Sequence, residues 1–231
     1  MLRERIEQVE ERIRRAAMRA GRLREDITLI AVTKMFPASA IREAYEAGLR
    51  DFGENYVQEF EKKQPEVAGL PGARFHLIGH LQSNKARRAA DLFDVVQTVD
   101  SPKLARRLSE AVASGLEARP EAAARPLEVM IEVKLSPEQT KSGAAPEELP
   151  ALAAAVRSLP NLKLTGLMTM PPWAEDPELS RPYFRRLAEL AREAGISGLS
   201  MGMSHDFEVA IEEGATHIRV GTALFGERRR D

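Results

Sequence analysis

Eight short apolar or β-branched segments, each followed by a stretch of helical character, run through this chain of 231 residues. Few architectures accept that alternation, because each crossover must return the chain to the same edge of a parallel sheet. The strand-like segments are 27–32, 50–54, 74–79, 93–99, 127–133, 162–169, 198–202 and 216–221. The first is free of charge throughout and reads as a strand buried on both faces. An open doubly wound sheet has similar content, but its nucleotide fingerprints, Gly-x-Gly-x-x-Gly and the Walker loop, do not occur. The expected fold is α/β, a single (β/α)8 TIM barrel over 1–231 with an extra N-terminal helix.

That extra helix spans 2–20, where Leu2, Ile6, Val9, Ile13 and Ala17 share a face. Pro37 sits where the helix to Gly48 can take it in its first turn, and another helix opens at Asn55. Residues 65–72 read as turns. Ser83 reads as an N-cap for 84–91, and Ser101-Pro102 as cap and first residue of a helix over 102–114. Further helices are expected over 146–159, 178–194 and 205–214. Residues 117–125, rich in Ala, Pro and Arg, read as a plain connection.

Composition removes several classes. With no cysteine, neither a disulfide framework nor a thiolate metal site can form. Thirty-four basic and 35 acidic residues are interspersed for a net charge of −1, which argues against a nucleic-acid surface. No apolar run reaches the ~18–20 residues of a membrane span, and the charged N-terminus is no signal peptide. A soluble, cytoplasmic protein is expected. His76, His80, His205 and His217 lack the spacing of a metal site.

Barrel chemistry lies at the C-terminal ends of the strands. That places Lys34, Asn55, His80 with Gln82, Lys134 with Ser136, Met168 to Met170, Ser200 to Ser204 and Arg219 to Thr222 at the mouth. A lysine ending a buried strand loses hydration, which favours its neutral, nucleophilic form. The plainer alternative is a lysine snorkelling to solvent. The loops after strands seven and eight, with Ser200, Gly202, Ser204, Gly221 and Thr222, lie where barrels often hold a phosphate. One strand-end lysine beside a phosphate cradle describes pyridoxal phosphate held as a Schiff base. It equally describes a lysine-dependent aldolase acting on a sugar phosphate.

Seven motifs, in order, carry a more specific resemblance. They are Ala31-Val-Thr-Lys34, Phe52-Gly-Glu-Asn-Tyr-Val-Gln-Glu59, Phe75-His-Leu-Ile-Gly-His-Leu-Gln-Ser-Asn-Lys85, Lys141-Ser-Gly143, Gly166-Leu-Met168, Leu199-Ser-Met-Gly-Met-Ser204 and Ile218-Arg-Val-Gly-Thr-Ala-Leu-Phe-Gly226. End to end, the chain resembles the pyridoxal phosphate homeostasis proteins, the YggS/PROSC group, whose barrel is similar to the N-terminal domain of alanine racemase. The resemblance implies a protein that stores, buffers or delivers pyridoxal 5′-phosphate without established turnover. Carried over by position, Lys34 matches the Schiff-base lysine, Ser200, Gly221 and Thr222 the phosphate contacts, and Arg219 the residue facing the pyridine nitrogen. Asn55 matches a motif position near the cofactor, and the stretch around Lys141 fits the pattern without an assigned role. Apoenzymes that use pyridoxal phosphate are the implied recipients, and the chain is expected to be a monomer or weak dimer.

An amino-acid racemase is the competing reading. Racemisation needs a base on each face of the substrate α-carbon. In alanine racemases the second base is a tyrosine from an added β-rich domain, expected to be absent here. Tyr45, Tyr56 and Tyr183 are the chain's tyrosines, and none falls at a strand end opposite Lys34.

Overall fold

Eight parallel strands close on themselves in sequence order, β1 to β8, with β8 pairing back onto β1 through Thr28↔His217 and Ala31↔Val220. The strands are β1 Thr28–Val32, β2 Asp51–Glu54, β3 Arg74–Leu77, β4 Val95–Val99, β5 Leu127–Glu132, β6 Leu162–Met168, β7 Gly198–Met203 and β8 His217–Val220. This computed structural model describes residues 1–118, 125–136 and 142–226. The expected (β/α)8 barrel is what the chain forms.

Among the described residues nine α-helices accompany the strands. They are α1 Leu2–Arg19, α2 Ala38–Glu46, α3 Val57–Val67, α4 Ala86–Leu92, α5 Pro102–Ala118, α6 Leu149–Arg157, α7 Arg181–Glu193, α8 Phe207–Glu212 and α9 Thr222–Phe225. The sequence reading ends at β8 and does not anticipate α9. This helix is one turn long, and α1 packs against both it and α8. The buried stripe Ile6, Val9, Ile13, Ala16 and Ala17 thus lets α1 cover the β8 side of the barrel, where a long eighth crossover helix would otherwise lie.

Several expected boundaries move. Pro65 lies inside α3 rather than in a turn: it forgoes the bond to the Glu61 carbonyl, and buried Phe60 and Val67 on either side hold the helix down. Ser83 begins a 3-10 turn instead of capping α4, which starts after Lys85 without a side-chain cap. Helix α5 runs to Ala118, past the expected end at 114 and into the expected connection, whose residues 119–124 lie outside the described ones. Ser101 does cap it, accepting from the Leu104 amide at 3.4 Å.

Most core residues lie between strands and helices, Phe52, Phe60, Phe75 and Phe93 in mutual ring contact. The lumen is different, being lined partly by polar side chains, and that difference builds the site.

Candidate cofactor site

β1 stops at Val32, two residues before Lys34. The Thr33 amide still reaches the Gly53 carbonyl at 3.0 Å, and a turn then closes from the Phe36 amide to the Thr33 carbonyl, also 3.0 Å. Lys34 therefore sits in this turn, half-buried, rather than ending the strand itself. Met35 next to it has φ 65°, alone among the described non-glycine residues in the left-handed region. That conformation costs an L-residue about 1–2 kcal/mol. The Met35 side chain is 65% exposed, so burial offsets little of it. Residues held in such a conformation persist only where the surrounding structure fixes them.

The second part of the site lies where β7 and β8 end. Ser204 Oγ accepts from the amides of Gly221, at 3.1 Å, and Ala223, at 3.3 Å. These amides open α9, and the Thr222 side chain between them is exposed. Backbone N–H groups at a helix start, joined by two hydroxyls, form a donor set suited to an anion. Gly202 permits the approach from β7. Its φ is 91°, and a Cβ there would lie 2.5 Å from the Ala210 Cβ.

Beneath the mouth a chain of hydrogen bonds crosses the lumen. Asp51 Oδ1 lies 2.8 Å from His76 Nε2, and His76 Nδ1 lies 3.1 Å from Gln97 Nε2. Ser200 donates to Gln97 Oε1 at 2.6 Å and accepts from Arg219 Nη1 at 2.7 Å, while Arg219 Nη2 donates to the Thr169 carbonyl at 2.9 Å. Gln97 and Ser200 come from β4 and β7, which are not neighbours, so they meet only across the lumen. Burial lowers Arg219 to about 10, and the guanidinium remains charged at neutral pH.

Among the described residues, two buried polar atoms at this end have no hydrogen-bond partner, Asn55 Oδ1 and Glu132 Oε2. Burial raises Glu132 to about 7, a rise that Arg219 moderates and Asp100 reinforces. Buried acceptors without a protein partner are rare in folded proteins, and water or a ligand can satisfy them. Asn55 is held by a close approach, since a Cβ on Gly79 would lie 2.2 Å from the Asn55 carbonyl oxygen.

The structure thus brings Lys34, Asn55, Arg219, Gly221 and Thr222 to one end of the barrel. Ser200 is the exception among the expected contacts. It is fully buried and its hydroxyl is engaged by Gln97 and Arg219, whereas Ser204 accepts from the amides of Gly221 and Ala223. His80 and Gln82 are exposed on the loop after β3, and His80 Nδ1 lies 3.8 Å from Asp100. Met168 and Thr169 are buried while Met170 is exposed, and Ser136 is buried beside half-buried Lys134. Lys141 lies outside the described residues. Tyr56 follows β2, adjacent to β1 rather than opposite it, and Tyr45 donates to the Pro71 carbonyl at 2.9 Å.

Sequence reading placed Ser204 in the phosphate loop but assigned the contact to Ser200, and it gave no role to Gln97 or Glu132. Gln97 and Glu132 carry a faint signal, each a polar side chain inside an apolar strand. Ser204 lies in the right loop, but only the fold distinguishes it from Ser200.

A family profile described as alanine racemase, N-terminal domain, matches residues 5–229. The pyridoxal phosphate homeostasis protein of Pseudomonas aeruginosa is 51% identical over 227 residues, covering 97% of this chain and 95% of that protein. PipY of Synechococcus elongatus PCC7942, solved with PLP bound, superposes with a TM-score of 0.82 at 39% identity and covers 98% of this chain and 100% of its own. An alanine racemase of Clostridium difficile 630 superposes with a TM-score of 0.74 at 16% identity, covering 100% of this chain and 57% of the racemase. At that identity the likeness concerns the barrel alone.

Proposed function

This chain belongs to the family of pyridoxal phosphate homeostasis proteins, and from that membership we propose that it holds pyridoxal 5′-phosphate at its barrel mouth through Lys34. Its role is then to store, buffer or deliver the cofactor in the cytoplasm, with pyridoxal-phosphate-dependent apoenzymes as recipients. In this reading residues 1–231 act as one cofactor-binding domain, a monomer or weak dimer.

The observation that carries the reading is the meeting of a half-buried lysine turn, an amide-and-hydroxyl cradle and a buried arginine at one mouth. The donor set fits the group. The Thr222 amide and hydroxyl are donors for a phosphate, and Ser204, whose Oγ accepts from the Gly221 and Ala223 amides, keeps its own O–H to donate. Arg219, a donor with no acceptor atoms, suits an unprotonated ring nitrogen. Asn55 provides a polar side chain whose Oδ1 is otherwise orphaned. When bound, the cofactor supplies an aldehyde that condenses with a neutral primary amine, releasing water. The part of Lys34 is to present that amine, and the turn around it fixes where the amine stands.

We place the protein outside the racemases. Racemisation needs a base on each face of the substrate α-carbon, and Tyr56 follows β2, next to β1, rather than facing Lys34 from across the barrel. An open mouth also admits water and other amines, which suits exchange of the cofactor.

The test is the visible spectrum of purified protein titrated with pyridoxal phosphate. Wild type is expected to develop an absorbance band that Lys34→Ala lacks while folding normally. A band retained in full by Lys34→Ala would refute the assignment of Lys34.

A further inference from the structure

Three charged side chains outside the mouth converge on the two residues that flank Lys34. Lys63 Nζ on α3 donates to the Thr33 carbonyl at 3.0 Å, and it lies 2.9 and 3.1 Å from the two carboxylate oxygens of Glu54. It also lies 2.6 Å from Glu59 Oε1. Glu54 Oε1 accepts from the Thr33 hydroxyl at 2.7 Å, and Glu59 Oε1 accepts from the Met35 amide at 2.5 Å. The Lys63 side chain is 9% exposed and that of Glu54 is fully buried.

Taking such charges out of water is costly, and apolar residues of similar size often serve stability as well or better. Stability alone therefore gives little reason for the cluster. Its contacts suggest another. It holds the residue before Lys34 by carbonyl and hydroxyl, and the residue after it by the amide of strained Met35. Lys34 lies between two backbone points fixed by the same ammonium and its two carboxylates.

We infer that Glu54, Lys63 and Glu59 form a clamp that holds the Thr33–Phe36 turn in its left-handed geometry, with Lys63 a positioning residue for the cofactor amine of Lys34. The inference rests on the reading that Lys34 takes the cofactor. Lys63 touches no cofactor atom in this account. It acts by keeping Met35 at positive φ, and so keeping Lys34 aimed.

The test compares full-length wild type, Lys63→Met and the double variant Lys63→Met with Met35→Gly. Three readouts are taken: affinity for pyridoxal phosphate, the distribution of borohydride-fixed label among lysine peptides, and the rate of reductive methylation of Lys34 in cofactor-free protein. Lys63→Met is expected to lose about ten- to a hundredfold in affinity, as for one charged hydrogen bond. Its label should spread from Lys34 to other lysines, and the methylation rate of Lys34 should change. Met35→Gly should recover Lys34 labelling in the same chain, because glycine holds a positive φ without a clamp.

A merely structural lysine would lower the melting temperature of both variants and leave Lys34 with its wild-type share of label. That pattern would overturn the inference. If Lys63→Met does not fold, Glu59→Gln with and without Met35→Gly carries the same comparison, since Glu59 is half-buried and glutamine keeps its shape. Unchanged affinity and unchanged Lys34 methylation in Glu59→Gln would then overturn it. Wild type labelled away from Lys34 would refute the functional reading instead, and the methylation rate in cofactor-free protein would still decide the clamp.

Discussion

Arg219 Nη1 donates to the hydroxyl of Ser200 at 2.7 Å, inside the barrel and out of reach of solvent. Ser200 passes the contact on to Gln97, so the arginine is anchored from β4 as well as from its own end of the lumen. Its orientation beneath the mouth is thus set before any ligand arrives.

The relationship separates two serines. Ser200→Ala would leave Gln97 Oε1 and one guanidinium N–H without a buried partner, at a cost of about 1–3 kcal/mol. A lower melting temperature is expected, with the preference for pyridoxal phosphate over pyridoxal retained. Ser204→Ala should show the opposite pattern, with small loss of stability and a reduced preference for the phosphorylated form. Isothermal titration with both ligands, beside thermal melts, distinguishes them.

Thr222→Val tests the cradle from its other side. Loss of a neutral hydroxyl facing a charged phosphate is expected to cost about 1.5–3 kcal/mol, roughly ten- to a hundredfold in affinity. Pyridoxal binding should hardly change. Equal weakening of both ligands would place the phosphate elsewhere.

Most of the architecture was legible in the order of elements. Eight apolar runs separated by helical patterns leave little but a barrel, and counting alone brings Arg219, Gly221 and Thr222 to the end of β8 and Lys34 to the turn just after β1. Less legible was anything that depends on how far a strand twists before it ends. Ser200 and Ser204 are separated by one β7 segment containing a register shift against β8, and only the folded chain says which hydroxyl lies under the mouth and which lies over α9. Helix α9 was invisible because a four-residue helix has no periodicity to read. The strain at Met35 has no sequence signal either, since methionine does not advertise a positive φ as glycine does.

Glu132 gives the lumen a pH dependence of its own. Its folded value of about 7 lies above the ordinary carboxylate value of 4.5. The folded protein therefore holds this proton more tightly than the unfolded chain, and the stability so contributed is complete below about pH 4.5 and lost as pH rises through about 7. Glu132→Gln removes the titration. The melting temperature of the variant relative to wild type should climb between pH 4.5 and 7 and level off above, by at most about 3 kcal/mol in stability. Burial depresses His217 to about 4, which acts in the other direction but is common to both proteins and cancels in the difference. A difference flat across this range would contradict the account of Glu132.

The non-enzymatic reading is tested with L-alanine. Incubation of cofactor-loaded protein, followed by chiral chromatography, is expected to show no racemisation at an enzyme-like rate, because Tyr56 stands next to β1 rather than across the barrel from Lys34 as a second base. Turnover on the order of 1 s⁻¹ or faster would place the protein among the enzymes.

The central claim is that Lys34 carries the cofactor. Borohydride reduction of the loaded wild-type protein, followed by proteolysis and peptide mass mapping, tests it most directly. One phosphopyridoxyl group is expected on the peptide containing Lys34, and none in Lys34→Ala. A label found in folded wild type on Lys63, Lys134 or any other lysine, with Lys34 unmodified, would contradict it.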